Sequence, residues 1–173
     1  MEYTEVLCEA AKRPAQEAGV LLDGLDAETA HVMPDGRCGS IAWLLWHAAR
    51  QMDVQVAELS GQPTVWESGG WAERLGVPRG PQDFGLGDGP HDIAAVQVAN
   101  VADLGVHLRE CCDAVAAYLG TLSAADLDDI IDRSYTPVVS RGVRLVSVID
   151  DAVSHVGQAA YVRGLLAGWS YVV

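Results

Sequence analysis

Apolar residues recur every three to four positions over four long stretches of this chain, the period of an α-helix with one buried face. The clearest stretch lies between Ser40 and Gly61, where Ile41, Leu45, Ala48, Met52, Val56 and Leu59 form one stripe. Ser40 is the predicted N-cap, because its hydroxyl can accept a free amide of the first turn, and Gly61 is the predicted stop. An earlier stretch runs from about Thr4 to Gly24, with Val6, Leu7, Ala10, Pro14, Ala18, Leu21 and Leu22 roughly on one side. Pro14 falls inside it, which predicts a kink or a late start. A third helix is predicted from about Asp92 to Leu122. Ser123 then caps a short turn of helix over Ala124 to Leu127, followed by irregular chain to Val139. The last helix starts near Ser140–Arg144 and runs to about Leu166, its stripe being Leu145, Val148, Ile149, Ala152, Val156, Ala159 and Ala160. No strand pattern of any length competes.

Between Gln62 and Pro90 the helical period vanishes. Gly69-Gly70, Gly76, Pro78, Gly80-Pro81, Gly85, Gly87 and Gly89-Pro90 punctuate this segment. Loops of this length in a compact domain are often functional, so substrate specificity is expected here. Trp66, Trp71 and Phe84 can pin it down, and Trp71–Leu75 reads as a short turn of helix. Four long amphipathic helices predict an all-α fold, a four-helix bundle formed by residues 1–173 as one domain. The two long connections argue against simple up-down-up-down topology.

Composition narrows the function. Half of the 173 residues are apolar, yet no run is long enough to span a bilayer. The start, Met-Glu-Tyr-Thr-Glu, lacks the pattern of a signal peptide, so a soluble cytoplasmic protein is expected. A net charge of −13 argues against nucleic acid and anionic membranes as partners. Cys8, Cys38, Cys111 and Cys112 show neither a CxxC nor zinc-finger spacing and read as free thiols in a reducing compartment.

Two strings carry chemistry. One is Trp46-His47-Ala48-Ala49-Arg50. The other is Asp151-Ala-Val-Ser-His155-Val-Gly-Gln158, which places a carboxylate and an imidazole four residues apart on one helix face. With His47 brought in from a neighbouring helix, two nitrogens and one oxygen surround one point. Such a set binds a divalent metal and leaves coordination positions free. Zn is the default by frequency; Ni, Fe(II) and Mn suit the same donors. An Asp/His pair at this spacing is also an ordinary surface pair, and His47 can simply pack among Trp43 and Arg50. His31, His91 and His107 have no ligand-spaced partner and read as surface or loop residues, with His91 a candidate substrate contact.

The segment Gly39-Ser40-Ile41-Ala42-Trp43-Leu44-Leu45-Trp46-His47-Ala48-Ala49-Arg50 resembles the second-helix signature of the DinB/YfiT-like superfamily. Gly70-Trp71-Ala72-Glu73-Arg74-Leu75-Gly76-Val77-Pro78 and His155-Val-Gly-Gln158-Ala-Ala-Tyr161-Val-Arg163-Gly164 resemble its actinobacterial branch, which includes mycothiol-dependent enzymes. The resemblance implies a four-helix bundle of up-down-down-up topology. It also implies a divalent metal on His47, Asp151 and His155, with Asp151 standing where many members carry His and where the maleylpyruvate isomerase type carries an acidic ligand.

The activity this implies is a thiol S-transferase, in which the thiolate of a low-molecular-weight thiol such as mycothiol, held on the metal, attacks an electrophilic small molecule. Arg50 and Gln158 are the candidate catalytic residues. Arg50 would hold an acidic group of thiol or substrate, unless it is an ordinary partner of Asp53, and Gln158 would support a ligating imidazole. Trp43 and Trp71 are the candidate cofactor-binding residues, lining an apolar pocket with Trp46 and Trp66, with core packing the other reading. A thiol-dependent cis–trans isomerase, a metal-dependent hydrolase and a non-catalytic small-molecule binding or resistance protein are the competing readings. Family bundles pair into homodimers, and the apolar residues Leu165, Leu166, Trp169 and Tyr171 are the patch expected to serve.

Overall fold

In the computed structural model, which describes residues 3–171, the Ser40 hydroxyl accepts the amide of Trp43 at 3.1 Å and starts the helix Ile41–Ser60. A cap of this kind stabilises a helix by about 1 kcal/mol. The helix ends where Gly61 takes a φ of 69°, a conformation that a side chain disfavours. The helices in chain order are α1 (Tyr3–Leu22), α2 (Ala27–His31), α3 (Ile41–Ser60), α4 (Val65–Ser68), α5 (Trp71–Leu75), α6 (Pro90–Ala94), α7 (Ala102–Leu119) and α8 (Arg141–Ala167). Ser140 caps α8 through the amide of Val143 at 3.3 Å.

The first helix spans Tyr3 to Leu22, close to its predicted bounds, and passes through the buried Pro14, which excludes the late start of the two outcomes expected there. Two other expectations need correction. The third long helix begins only at Ala102. Before it, Val96, Val98 and Val101 are all buried, and two residues two apart can share a face in extended chain but not in a helix. The Val98 amide donates to His31 Nε2 at 3.0 Å, and Asn100 Oδ1 accepts the amide of Ala102 at 3.2 Å, which sets the new start. The stretch before α8 also carries a small antiparallel ladder, β1 (Ile130–Asp132) against β2 (Val139–Ser140).

The contacts fix the topology. Tyr3 on α1 donates to the Leu122 carbonyl just past α7, and Cys8 meets Ala116, so α1 and α7 are antiparallel. Met52 meets Cys112 and Leu59 meets Tyr118, so α3 and α7 are parallel. Gln51 of α3 donates to Val148 of α8 near its start, and Arg163 near the end of α8 donates to Leu21 at the end of α1. The order is therefore up-down-down-up. Each of α1 and α3 packs on both α7 and α8, so consecutive long helices α1 and α3 stand on a diagonal. That placement puts α3 and α8 side by side and antiparallel. The core between the four includes Leu21, Leu45, Trp46, Met52, Leu104, Leu108, Leu145 and Val156. Among the described residues no helix is long and apolar enough to cross a membrane. Tyr161, Leu165, Leu166 and Tyr171 stand exposed near the end of α8.

His107 departs furthest from its expected surface position. It is fully buried on α7, its ring 5.4 Å from that of Trp66 and 4.9 Å from that of Trp71. Burial, with the positive charges of Arg50 and Arg74, pushes its pKa down to about 3. The folded protein therefore refuses a proton that the unfolded chain accepts near pH 6.5. Stability is unaffected by this group above that pH and falls as pH drops from 6.5 towards 3. Between pH 7 and pH 5 His107 should cost about 2 kcal/mol. Urea unfolding at both pH values checks this: a folded His107→Met variant should lose about that much less than the native protein, and equal losses would refute it.

Candidate metal centre

Antiparallel packing of α3 on α8 brings His47 opposite Asp151 and His155. One ligand atom from each residue lies within 4.8 Å of the other two. The two imidazole rings meet edge to face, centroids 4.4 Å apart. His47 is nearly buried, whereas Asp151 and His155 keep partial exposure, so the cluster sits at the rim of the bundle rather than in its core.

Hydrogen bonds decide which nitrogens point inward. His47 Nδ1–H donates to the carbonyl of Phe84 in the long loop, because a carbonyl can only accept, and this leaves the Nε2 lone pair free. Gln158 Oε1 accepts from His155 Nδ1 at 3.1 Å, which leaves Nε2 bare. That nitrogen lies 3.5 Å from Asp151 Oδ1, so two acceptors face one another. Asp151 Oδ2 is buried with no hydrogen-bond partner among the described residues. Converging lone pairs and an orphaned carboxylate oxygen are relieved by a cation, and the donors suit a divalent ion of the zinc, nickel, iron or manganese type. Burial holds the His47 imidazole below its ordinary pKa; the nearby His155 acts in the same direction, while the Phe84 carbonyl and Asp151 oppose it. A neutral imidazole is the form that ligates.

The loop is fastened to this histidine. The Trp43 ring stacks on His47 at 4.8 Å and 5°, and Trp43 Nε1 donates to Asp88 at 2.9 Å. Gly85, at φ 84°, lies so close that a Cβ would stand 2.9 Å from Trp46, 3.1 Å from Asp88 and 3.3 Å from Trp43. Only glycine lets the Phe84 carbonyl reach His47 by this route.

The other anticipated residues have different places. Gln158 supports His155. Trp43 lies at the centre, partly exposed. Arg50 is fully buried: it donates to Asp53 at 2.5 Å, to the Pro81 carbonyl at 2.5 Å and to the Asp83 carbonyl at 3.3 Å, and so pins the loop instead of facing a small molecule. Trp71 is also fully buried, donating to Glu110 at 2.9 Å with Arg74 stacked 3.5 Å from its ring centre, and it offers no open face. His91 is exposed, beside Asp92.

A second cluster, Asp53, His107 and Cys111, has ligand atoms equally close but different electrostatics. Asp53 already accepts from Arg50, from Val65 N at 2.6 Å and from Trp66 N at 2.9 Å. Burial pushes the Cys111 thiol well above its usual value, so it is protonated. A cation there would displace or repel the Arg50 guanidinium, whereas the rim cluster contains no fixed positive charge. Sequence spacing did not reveal Phe84, because its contribution is a backbone carbonyl. The Asp88–Trp43 bond spans 45 residues, and no local pattern announces it.

The sequence profile of the DinB superfamily matches residues 13–159. A crystal structure of a conserved protein from Enterococcus faecalis is 34% identical and superposes with a TM-score of 0.90, covering 98% of this chain and 99% of that one. No curated protein matches the chain.

Purified protein reconstituted with Zn²⁺ should carry about one ion per chain by elemental analysis, in keeping with one open three-ligand site. His47→Ala and His155→Ala should each abolish it. An unchanged zinc content in both variants would remove this cluster as a metal centre.

Proposed function

The chain belongs to the DinB superfamily, and from that premise we propose that it is a metal-dependent thiol S-transferase whose ion is held by His47, Asp151 and His155. One observation carries the reading: three donors from two helices converge at the rim of the bundle, with an Asp151 oxygen left unpartnered. Three protein ligands leave open positions on an ion, and open positions distinguish catalytic from structural sites. The chemistry a bound divalent cation supplies is Lewis acidity, under which a neighbouring thiol loses its proton far below the ordinary value of about 8.5.

The protein's own groups prepare that event. Asp151 contributes the one negative charge of the donor set. The Phe84 carbonyl and Gln158 fix the two imidazoles with their bare nitrogens inward. The Trp43 ring covers one face of His47 and presents an apolar wall, which suits an electrophile with an unsaturated or aromatic body. The reaction is a displacement: the sulfur of a low-molecular-weight thiol of the mycothiol kind forms a bond to an electrophilic carbon. The leaving group departs with its electron pair, and the thiol proton goes to solvent. The net acidic chain favours neutral or cationic electrophiles over anionic ones.

The test pairs the zinc-loaded protein with mycothiol or glutathione and a fluorogenic haloalkyl bimane. Conjugation should require both thiol and metal, and Asp151→Ala should lower kcat/KM by at least about 100-fold, the upper end seen for residues that merely support metal ligands. Turnover of ester or amide probes without thiol would identify a hydrolase instead. Saturable binding of the probes without turnover would identify a binding protein.

A further inference from the structure

Arg79 lies in the loop, 32 positions from His47 in sequence, and the function just proposed does not use it. Its side chain is mostly buried, and both terminal nitrogens are engaged. Nη1 donates to Asp83 at 3.0 Å and to Asp88 Oδ1 at 3.1 Å, and Nη2 donates to Asp88 Oδ2 at 2.8 Å and to the Asp92 carbonyl at 3.1 Å. The fork on Asp88 is bidentate, a geometry that an ammonium cannot reproduce. The guanidinium also stands 5.2 Å from the centre of the Trp46 ring. The residues it gathers are those flanking Phe84, and both of its carboxylate partners lead to His47. Asp88 Oδ2 also accepts the Trp43 indole N–H, and that ring stacks on His47. Asp83 Oδ1 accepts the Gly85 amide at 3.0 Å, which shapes the turn presenting the Phe84 carbonyl to His47 Nδ1.

We propose that Arg79 is the positioning residue of the metal centre: by cross-linking Asp83, Asp88 and Asp92 it sets the ring plane and tautomer of His47 through the Trp43 stack and the Phe84 carbonyl. The proposal rests on reading His47 as a ligand. It differs from a general structural role because it predicts an effect on one ligand and not on its neighbours. Among the described residues Arg79 makes no hydrogen bond or ion pair to α8, where Gln158 independently holds His155. Without Arg79, Asp83 and Asp88 lose their cation, the loop carbonyl loses its aim, and His47 is free to carry its proton on either nitrogen. A ligand that spends part of its time in the wrong tautomer binds metal more weakly.

The experiment has two readouts on the full chain. Zn²⁺ affinity is measured by competition with a chelator, and the ¹⁵N shifts of the histidine side chains are recorded in the metal-free protein at pH 8. Arg79→Met should raise the Zn²⁺ Kd about 10- to 100-fold, the range for residues that orient metal ligands. It should also convert the His47 nitrogens from one tautomer to an averaged pair while leaving His155 in the single tautomer that Gln158 holds. Arg79→Lys should fall between native and Met, since it keeps the charge without the fork. Asp88→Asn should reproduce the His47 effect and carries the test if Arg79→Met no longer melts cooperatively. Native Kd and a single His47 tautomer in these variants would overturn the proposal, and so would an equal disturbance of His155. If the native protein takes up no zinc, the metal reading fails, while the His47 tautomer still decides the claim about Arg79.

Discussion

A buried guanidinium must have all its donors satisfied, and the way Arg50 meets that demand organises the rest of this molecule. Arg50 sits on α3 with no exposure to solvent. Its partners are the carboxylate of Asp53 one turn along and the carbonyls of Pro81 and Asp83 in the loop. Asp53 in turn accepts the two amides that open α4. One ion pair thus fastens both ends of the segment that carries α4 and α5 to α3. Burial pushes Arg50 down and Asp53 up in pKa; the Asp53 charge opposes the first shift, and the Trp66 and Val65 amides together with the Arg50 charge oppose the second. Breaking such a pair leaves an isolated buried charge, which typically costs about 3–5 kcal/mol.

With its base anchored, the loop can be precise at its tip. Arg79 and its carboxylates close it on itself, Gly85 lets it lie against Trp43 and Trp46, and the Phe84 carbonyl reaches His47. The candidate metal centre is consequently asymmetric. Asp151 and His155 come from one rigid helix and need only Gln158 for support. His47 depends on a loop, two tryptophans and two arginines.

The two titratable clusters show how surroundings decide chemistry. Both contain a histidine and a carboxylate within metal-binding reach of a third donor. In the core, Asp53 is neutralised by Arg50, and His107 and Cys111 are held uncharged by burial. At the rim, Asp151 has an oxygen with nothing to bind, and the imidazoles face it with bare nitrogens. The first arrangement holds a structure together; the second is poised to receive a cation.

Local signals determined a good deal of this protein. The 3.6-residue stripes with Ser40, Gly61 and Ser140 at their ends fixed α3 and α8 within a residue or two, because caps and periodicity act over a single turn. The i, i+4 spacing put Asp151 and His155 on one face for the same reason, and Trp71–Leu75 was legible from the glycines around it. Other features were settled only by packing. The long third helix broke at Ala102 because Val96, Val98 and Val101 were buried together, a demand that the helical period could not meet. His107 looked like a surface residue until Trp66 and Trp71 folded over it. Arg50 was open to two readings, contact with a substrate or an ion pair with Asp53, and the loop carbonyls at Pro81 and Asp83 decided between them. The meeting of His47 with α8, about a hundred residues away in sequence, followed from the diagonal placement of α1 and α3, which makes α3 and α8 neighbours. Sequence encodes what neighbouring residues do to one another; which distant groups share a low-dielectric space is decided when the chain closes around them.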